Sequence, residues 1–397
     1  MEYLSDNAYL AIIPEATAGT ALKPTTFVPL ISESIRTIVN HSADRRFKGL
    51  NWKADDLLRG NRMQEGELVV LADPDNLGHF LNMFLSKGST TGSAPDGFTH
   101  PFTVGSADSY TIEIKKGLYT QRLFGVQVDE FRIEFVDGSM QLRLLIRGTG
   151  QFSVAKLGIA LTGAGMVEIV FQDNYDINPN RGLVVGDVIT IGSDDVTLTS
   201  VDVDGVTVGF TSLDLTYSAN EPIYLKPQTP SYSSLVDPFY HGNLLLGIGA
   251  NESAATTAAG SNSTATPVHD LVIILRNNLL EIPRTGRLDP VSILPRSKEG
   301  EIQLKQLLEN EDEKADFLDR TKQAITIIVK GTSIKSDFTT RELLTLKFHN
   351  VKLREHSNPL EVGEYVVDDK VYEVLYDRGD AKAMTVDLVN RTDGSNY

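Results

Sequence analysis

One short string occurs twice in this chain, and the same order of elements surrounds it both times. Glu65-Gly66-Glu67-Leu68 is preceded by an extended stretch and an Arg-bearing loop; a helical pattern near Asn76–Ser86 and several long strand patterns follow. Glu299-Gly300-Glu301-Ile302 is framed in the same way, with its helical pattern near Glu311–Arg320 and four strand patterns after it. Three shared residues carry little alone; the matched order carries the inference. A chain of 397 residues has room for two or three domains. The pattern divides it into a first β-rich half over 1–156, an insert over 157–228 and a second half over 229–397. The expected fold is mainly β: two tandem β-sandwich halves, each with a flanking α-helix, plus a small inserted β-domain.

Local patterns support that division. Asp73-Pro74-Asp75 supplies a cap and an early proline for the first helix, and Leu77, Phe80, Leu81, Phe84 and Leu85 form its apolar stripe. Strands are expected over Ser109–Lys115, Leu123–Phe135 and Ser139–Gly148, the last two joined by the hairpin signal Val136-Asp137-Gly138. Phe131, Ile133 and Phe135 alternate with Glu130, Arg132 and Glu134, but Val126 and Val128 keep the opposite phase, so a bulge is expected near Asp129. In the second half, strands are expected over Val268–Ile282, Ala324–Lys330, Leu343–Leu353, Tyr365–Tyr376 and Ala383–Asn390. Asn251–Thr266, almost entirely Ala, Ser, Thr, Asn and Gly, has nothing to bury and reads as mobile.

The insert differs in texture, with glycine, aspartate and short, closely spaced strands. It holds ten acidic residues against Arg181 and Lys226, and so carries half of the net charge of −16. Such a segment suits an exposed, outward-facing module. An acidic chain is a poor clamp for nucleic-acid phosphates, although it can let DNA pass ungripped.

Catalytic and metal signatures are missing. The seven histidines show no HExxH and no close ligand spacing, and there is no GxSxG elbow or P-loop lysine. Three GxG strings, including Gly247–Gly249, lack a third glycine and read as turns or packing. Asp202-Val203-Asp204-Gly205 reads as a hairpin turn, because the closing Glu of a calcium loop is absent. Zero cysteines exclude disulfides and thiol chemistry. No apolar run is long enough to span a bilayer, and Met1–Asp6 shows no secretory signal, so synthesis in a cytoplasm without export is expected. No enzyme activity, cofactor or metal is expected.

Two polar stretches hold the interaction candidates. Asn40–Arg62 is longer than the roughly 12–15 residues beyond which loops are usually functional or disordered. It carries Arg45, Arg46, Phe47, the lone Trp52, Asp55, Asp56 and Arg59. Arg, Trp and Phe are common interface anchors, and the two aspartates argue against nucleic acid. The same loop folding back onto its own domain is an equal reading. Pro283–Pro295, with Arg284 and Arg287 and with Arg296 just beyond, holds the matching place in the second half.

With these elements placed, the chain resembles the tail tube proteins of long-tailed bacteriophages whose subunit contains two tube-type β-sandwich halves. The residues carrying the resemblance begin with Pro14–Thr20, Phe27–Leu30, Gly66–Leu68 and Pro74–Gly78. They continue through His100–Phe102, Tyr119–Phe131, Leu343–Leu346, Asn350–Leu353, Val371–Asp377 and Leu388–Asn390. The resemblance spans roughly Tyr9–Lys156 and Tyr232–Thr392, and the insert departs from the basic pattern.

The resemblance implies a physical role in the virion tail, with assembly in the host cytoplasm. Three two-half chains would close a pseudo-sixfold ring around a continuous β-barrel, where single-half subunits would need six. Rings would stack into a tube, with the two Arg-bearing loops as the stacking interface. The lumen would be acidic or neutral, so that DNA transits without specific binding during ejection. A tape measure protein and tail terminator or baseplate proteins are the further partners implied. The alternative is a surface β-protein, an adhesin or fibre module binding a host glycan.

Overall fold

The computed structural model describes residues 8–40, 42–43, 57–58, 60–117, 119–172, 181–202, 205–232, 236–283, 289–307, 317–335, 340–359, 367–393 and 397. Its principal elements, in chain order, are β1 (Leu10–Pro14), β2 (Leu30–Glu33), β3 (Arg36–Val39), β4 (Arg62–Leu71), α1 (Pro74–Asn82), β5 (Gly97–Thr103), β6 (Tyr110–Lys116), β7 (Tyr119–Val136) and β8 (Ser139–Gly148). Beyond the insert come β9 (Leu244–Gly249), α2 (Glu252–Ala259), β10 (Asp270–Arg276), β11 (Glu299–Leu307), β12 (Gln323–Ser333), β13 (Arg341–Ser357), β14 (Val367–Val374) and β15 (Met384–Asn390). The protein is mainly β and its strand pairings are antiparallel, as the alternating patterns and hairpin signals predict.

One path of pairings runs twice. In the first pass β1 pairs β6, β6 pairs β7, β7 pairs β8, β8 pairs β4, and β4 pairs β2 and β3. In the second pass β9 pairs β12, β12 pairs β13, β13 pairs β14, β14 pairs β11, and β11 pairs β10. The 18-residue β7 and the 17-residue β13 hold the same place and change partner midway. The register of β7 against β8 shifts between Val128 and Glu130, the bulge that the phase reversal predicts, and β13 shifts against β14 between Leu353 and Glu355. Asp137 and Gly138 both have positive φ (50° and 80°), as a tight turn matched to the strand twist requires.

The two passes are joined, and they interlock. β7 pairs β10 from Glu130↔Arg276 to Glu134↔Val272, so one sheet crosses from the first pass into the second. β5 pairs β15, which pairs β13, and a single hydrophobic core collects residues from Leu10 to Leu388. β5 escapes sequence reading because Pro101 interrupts its pattern, and proline is disfavoured inside sheets.

Two readings of the second half change. Asn251–Thr266 was expected to be mobile, but it contains α2, capped by the Asn251 side chain accepting from the Ala254 N–H at 2.9 Å. Its small residues are what it packs with: Ala255 and Ala259 are buried, and a Cβ added at Gly247 would stand 2.0 Å from the Ala255 carbonyl oxygen. Near Glu311–Arg320, residues 308–316 lie outside the description and only Phe317–Asp319 is described as helical.

The segment between the passes forms a six-stranded sheet from Val154–Lys156 to Pro222–Leu225 around its own apolar cluster, which includes Ile189, Val196, Val208 and Ile223.

α1 is capped as its sequence predicts, with Asp73 accepting from the Asn76 N–H at 2.8 Å. It also buries His79 edge-on against Tyr397 and Tyr110. Burial, with a small contribution from Lys87, depresses the His79 pKa to about 4. Between that value and the unfolded value of about 6.5, the unfolded chain binds the extra proton and the folded chain does not. Stability is therefore full above pH 6.5 and is lost as pH falls toward 4, by about 3 kcal/mol at most. His79→Phe is expected to flatten this acid limb in urea titrations run between pH 4 and 7; an unchanged limb would refute the assignment.

Candidate assembly surface

Eight neighbouring segments, in the order β2–β3, β4, β8, β7, β10, β11, β14 and β13, present one face to the core and one to solvent. Period-2 alternation sets this division. Leu68, Leu144, Phe131, Ile273, Ile302 and Tyr372 point inward and are buried. Opposite them runs a polar face, and one row of cross-strand partners reads Val69, Arg143, Arg132, Ile274, Glu301, Glu373, Lys352.

Ion pairs lace this face across strand boundaries. Arg276 meets Glu130 at 2.8 Å, Arg143 meets both Glu134 and Glu67, and Arg354 meets Glu301 at 3.0 Å. Burial works to raise the Glu301 pKa, but the Gln303 amide and Arg354 outweigh it and hold the carboxyl below its usual range. Half-exposed pairs of this kind each add at most about 1 kcal/mol. Their main effect is to leave a surface of balanced, mutually satisfied charge.

The repeated string sits inside this sheet. Gly66 lies in β4 where the neighbouring edge crosses closely, and a Cβ there would stand 2.4 Å from Ile35 Cα. Gly300 occupies the matching place in β11, beside Val374 and Leu275. In both passes the glycine admits the strand next to it.

The interface residues expected from sequence fare unevenly. Arg45, Arg46, Phe47, Trp52, Asp55, Asp56 and Arg59 lie outside the described residues, as do Arg284 and Arg287. Arg296 is exposed, and its backbone N–H donates to the Asn277 carbonyl at 3.3 Å. The bases of both stretches are paired rather than irregular. Ser42–Ala43 pairs Leu57–Leu58, and Leu279–Ile282 pairs Ser292–Pro295, so both stretches leave the sheet as antiparallel hairpins. A bidentate Arg62–Asp289 contact, at 2.7 and 2.8 Å, ties the first stretch to the second.

Sequence reading missed the contact that seats the insert. Arg122, fully buried on β7, donates to Glu113 on β6 at 2.7 and 3.1 Å and to Asp187 of the insert at 2.5 and 2.9 Å. Both carboxylates are buried as well. Around this cluster Lys23 donates to the Gly186 carbonyl at 2.9 Å, and Arg181 lies over the Phe124 ring. No local motif marks these residues, because the three partners come from separate parts of the chain.

A family model described as phage tail tube protein matches residues 5–220, more than half of the chain. The match runs through the first pass of the strand path and most of the insert. No curated protein matches the chain. The mainly β architecture agrees with the family match: this chain belongs to the phage tail tube protein family and is a structural protein of the virion tail.

Proposed function

We propose that the chain polymerises as stacked three-chain rings whose shared inner wall is the charge-laced sheet, and that the tube so formed conducts the genome during ejection. The observation that carries this reading is the strand path run twice in one continuous sheet, in a chain of the tail tube family. A subunit that already supplies two equivalent arcs needs three copies where a single-arc subunit needs six. The shared core and α1 lie on one side of the sheet, so a closed wall would leave that bulk outside and turn the polar face inward. A lumen of balanced charge offers DNA phosphates little net attraction. The insert, latched by Arg122, would then stand outside the wall.

Ring stacking falls to the hairpins that carry Asn40–Arg62 and Pro283–Arg296, which leave equivalent places in the two passes. Their Arg, Phe and Trp residues would reach the adjacent ring, an open heterologous contact that generates a filament. A tape measure protein inside the tube and terminator or baseplate proteins at its ends are the further partners of this reading.

Electron microscopy of concentrated protein, with a mass measurement on the smallest ring, tests the proposal. Hollow tubes built on three-chain rings are expected. Six-chain rings would keep the tube and overturn the reading of two arcs per chain, and monomers that never assemble would overturn the whole.

A further inference from the structure

The internal junction between β7 and β10 has two sides, and each side recurs unpaired at an end of the sheet. Among the described residues, β13 pairs only β14 over 352–357, whereas β7 pairs both β8 and β10 over the equivalent stretch. Likewise β2 and β3 pair only β4, whereas β10 pairs both β11 and β7. Open edges of this kind are templates for pairing with another chain.

Register can be carried from the internal junction to these edges. Val128 lies opposite Ile146, which lies opposite Gly66; Val351 lies opposite Val374, which lies opposite Gly300. Val351 therefore holds the place of Val128. On the other side Arg276 lies opposite Glu299, and Arg36 lies opposite Glu65, the same position of the repeated string. Arg36 therefore holds the place of Arg276.

Resting on the ring reading above, we infer that β13 of one copy pairs antiparallel with β2–β3 of the next, with Lys352 opposite Arg36, Leu353 opposite Ile35, Glu355 opposite Ser34 and His356 opposite Glu33. The occupant of each edge is thus a second copy of this chain. Lys352 would face Arg36, a like-charge pair that is unfavourable by itself, and each cation is offset by the glutamate it already faces within its own chain, Glu373 and Glu65. Both margins of the proposed contact expose a large aliphatic side chain: Ile31 of β2 is 49% exposed, and Leu318, which lines a cleft with Lys352 and Leu353 of β13, is 71% exposed. The contact is head to tail, and a head-to-tail contact closes into a ring when the rotation allows.

The absence of cysteine makes disulfide trapping a clean test. At the internal junction the Asn277 N–H donates to the Asp129 carbonyl. Arg132 and Ile274, an odd number of positions further along, therefore form a non-hydrogen-bonded pair, the kind whose side chains lie closest. Ser34 and Glu355 are the matching pair between copies. Arg132→Cys with Ile274→Cys should close an intrachain disulfide and serves as the geometric control. Ser34→Cys with Glu355→Cys, oxidised after assembly, should put most of the protein into covalent species of two and three chain masses. Thr37→Cys with Glu355→Cys, which face opposite sides of the sheet in this register, should leave it monomeric. Tubes with an oxidised control pair but an uncross-linked Ser34–Glu355 pair would overturn the register and leave the tube reading standing. A wild-type chain that forms no rings or tubes would overturn both.

Discussion

Arg122→Met is expected to destabilise the protein by about 3–5 kcal/mol, the usual loss when one partner of a buried ion cluster is removed. The guanidinium makes four charge-assisted hydrogen bonds to Glu113 and Asp187 and a fifth to the Gly182 carbonyl at 3.1 Å. Methionine fills much of the same volume and makes none of them, so two carboxylates remain buried without a counter-charge. Burial alone would depress the arginine pKa; hydrogen bonding and attraction from the two acids outweigh it and leave the charge fixed. The urea midpoint measures the loss, and limited proteolysis should show the six-stranded segment released first. Adding Glu113→Gln and Asp187→Asn to the same chain should restore most of the stability, because uncharged partners no longer carry the desolvation penalty. A loss below about 1 kcal/mol for Arg122→Met would show that the cluster is not what seats the insert.

Gly66→Ala is expected to lower stability by about 3 kcal/mol, the upper end of overpacking effects, and to abolish ring assembly on the proposed reading. The added methyl meets backbone on every near side: Ile35 Cα at 2.4 Å, Ile35 N at 2.7 Å and the Ser34 carbonyl oxygen at 2.8 Å. The edge formed by β2 and β3 must move as a unit to admit it, and that is the edge offered to the next copy. Gly300→Ala is the informative comparison. Its methyl would meet the Val374 Cβ at 2.9 Å, relieved by a small shift of that strand, and the Leu275 Cδ at 3.1 Å, which can turn away, so a smaller loss of about 1 kcal/mol is expected. Thermal unfolding and electron microscopy of the two variants separate the effects; equal losses would refute the argument from backbone contact.

Much of the sheet was legible because its signals are local. Alternation around Phe131, the phase break at Asp129, the turn at Asp137-Gly138 and the cap at Asp73 each act within a few residues. What stayed hidden depends on partners far away in sequence. β5 forms despite Pro101 because distant β15 pairs one edge of it while Ser86–Lys87 and Thr91–Ser93 pair the other, and α2 packs because Gly247 gives its backbone room. The Arg122 cluster and the Arg62–Asp289 contact likewise join residues that no spacing rule connects. The repeated Glu-Gly-Glu string was visible at once, but its reason was not. It took the path of the neighbouring strands to explain why the middle residue is glycine.

The pairing of β5 with β15 also sets a schedule for synthesis. Phe98 aligns with Asn390, and the His100 ring bonds the Asn390 side chain at 3.0 Å. A ribosome adding about 5–20 residues per second leaves β5 without β15 on one edge for on the order of ten seconds to a minute. Over a shorter interval β7 also shows an open edge, until β10 emerges. The nascent chain therefore cannot finish its first half before β15 exists, and contacts this distant in sequence slow folding. A chain released before β15 would leave one edge of β5 open.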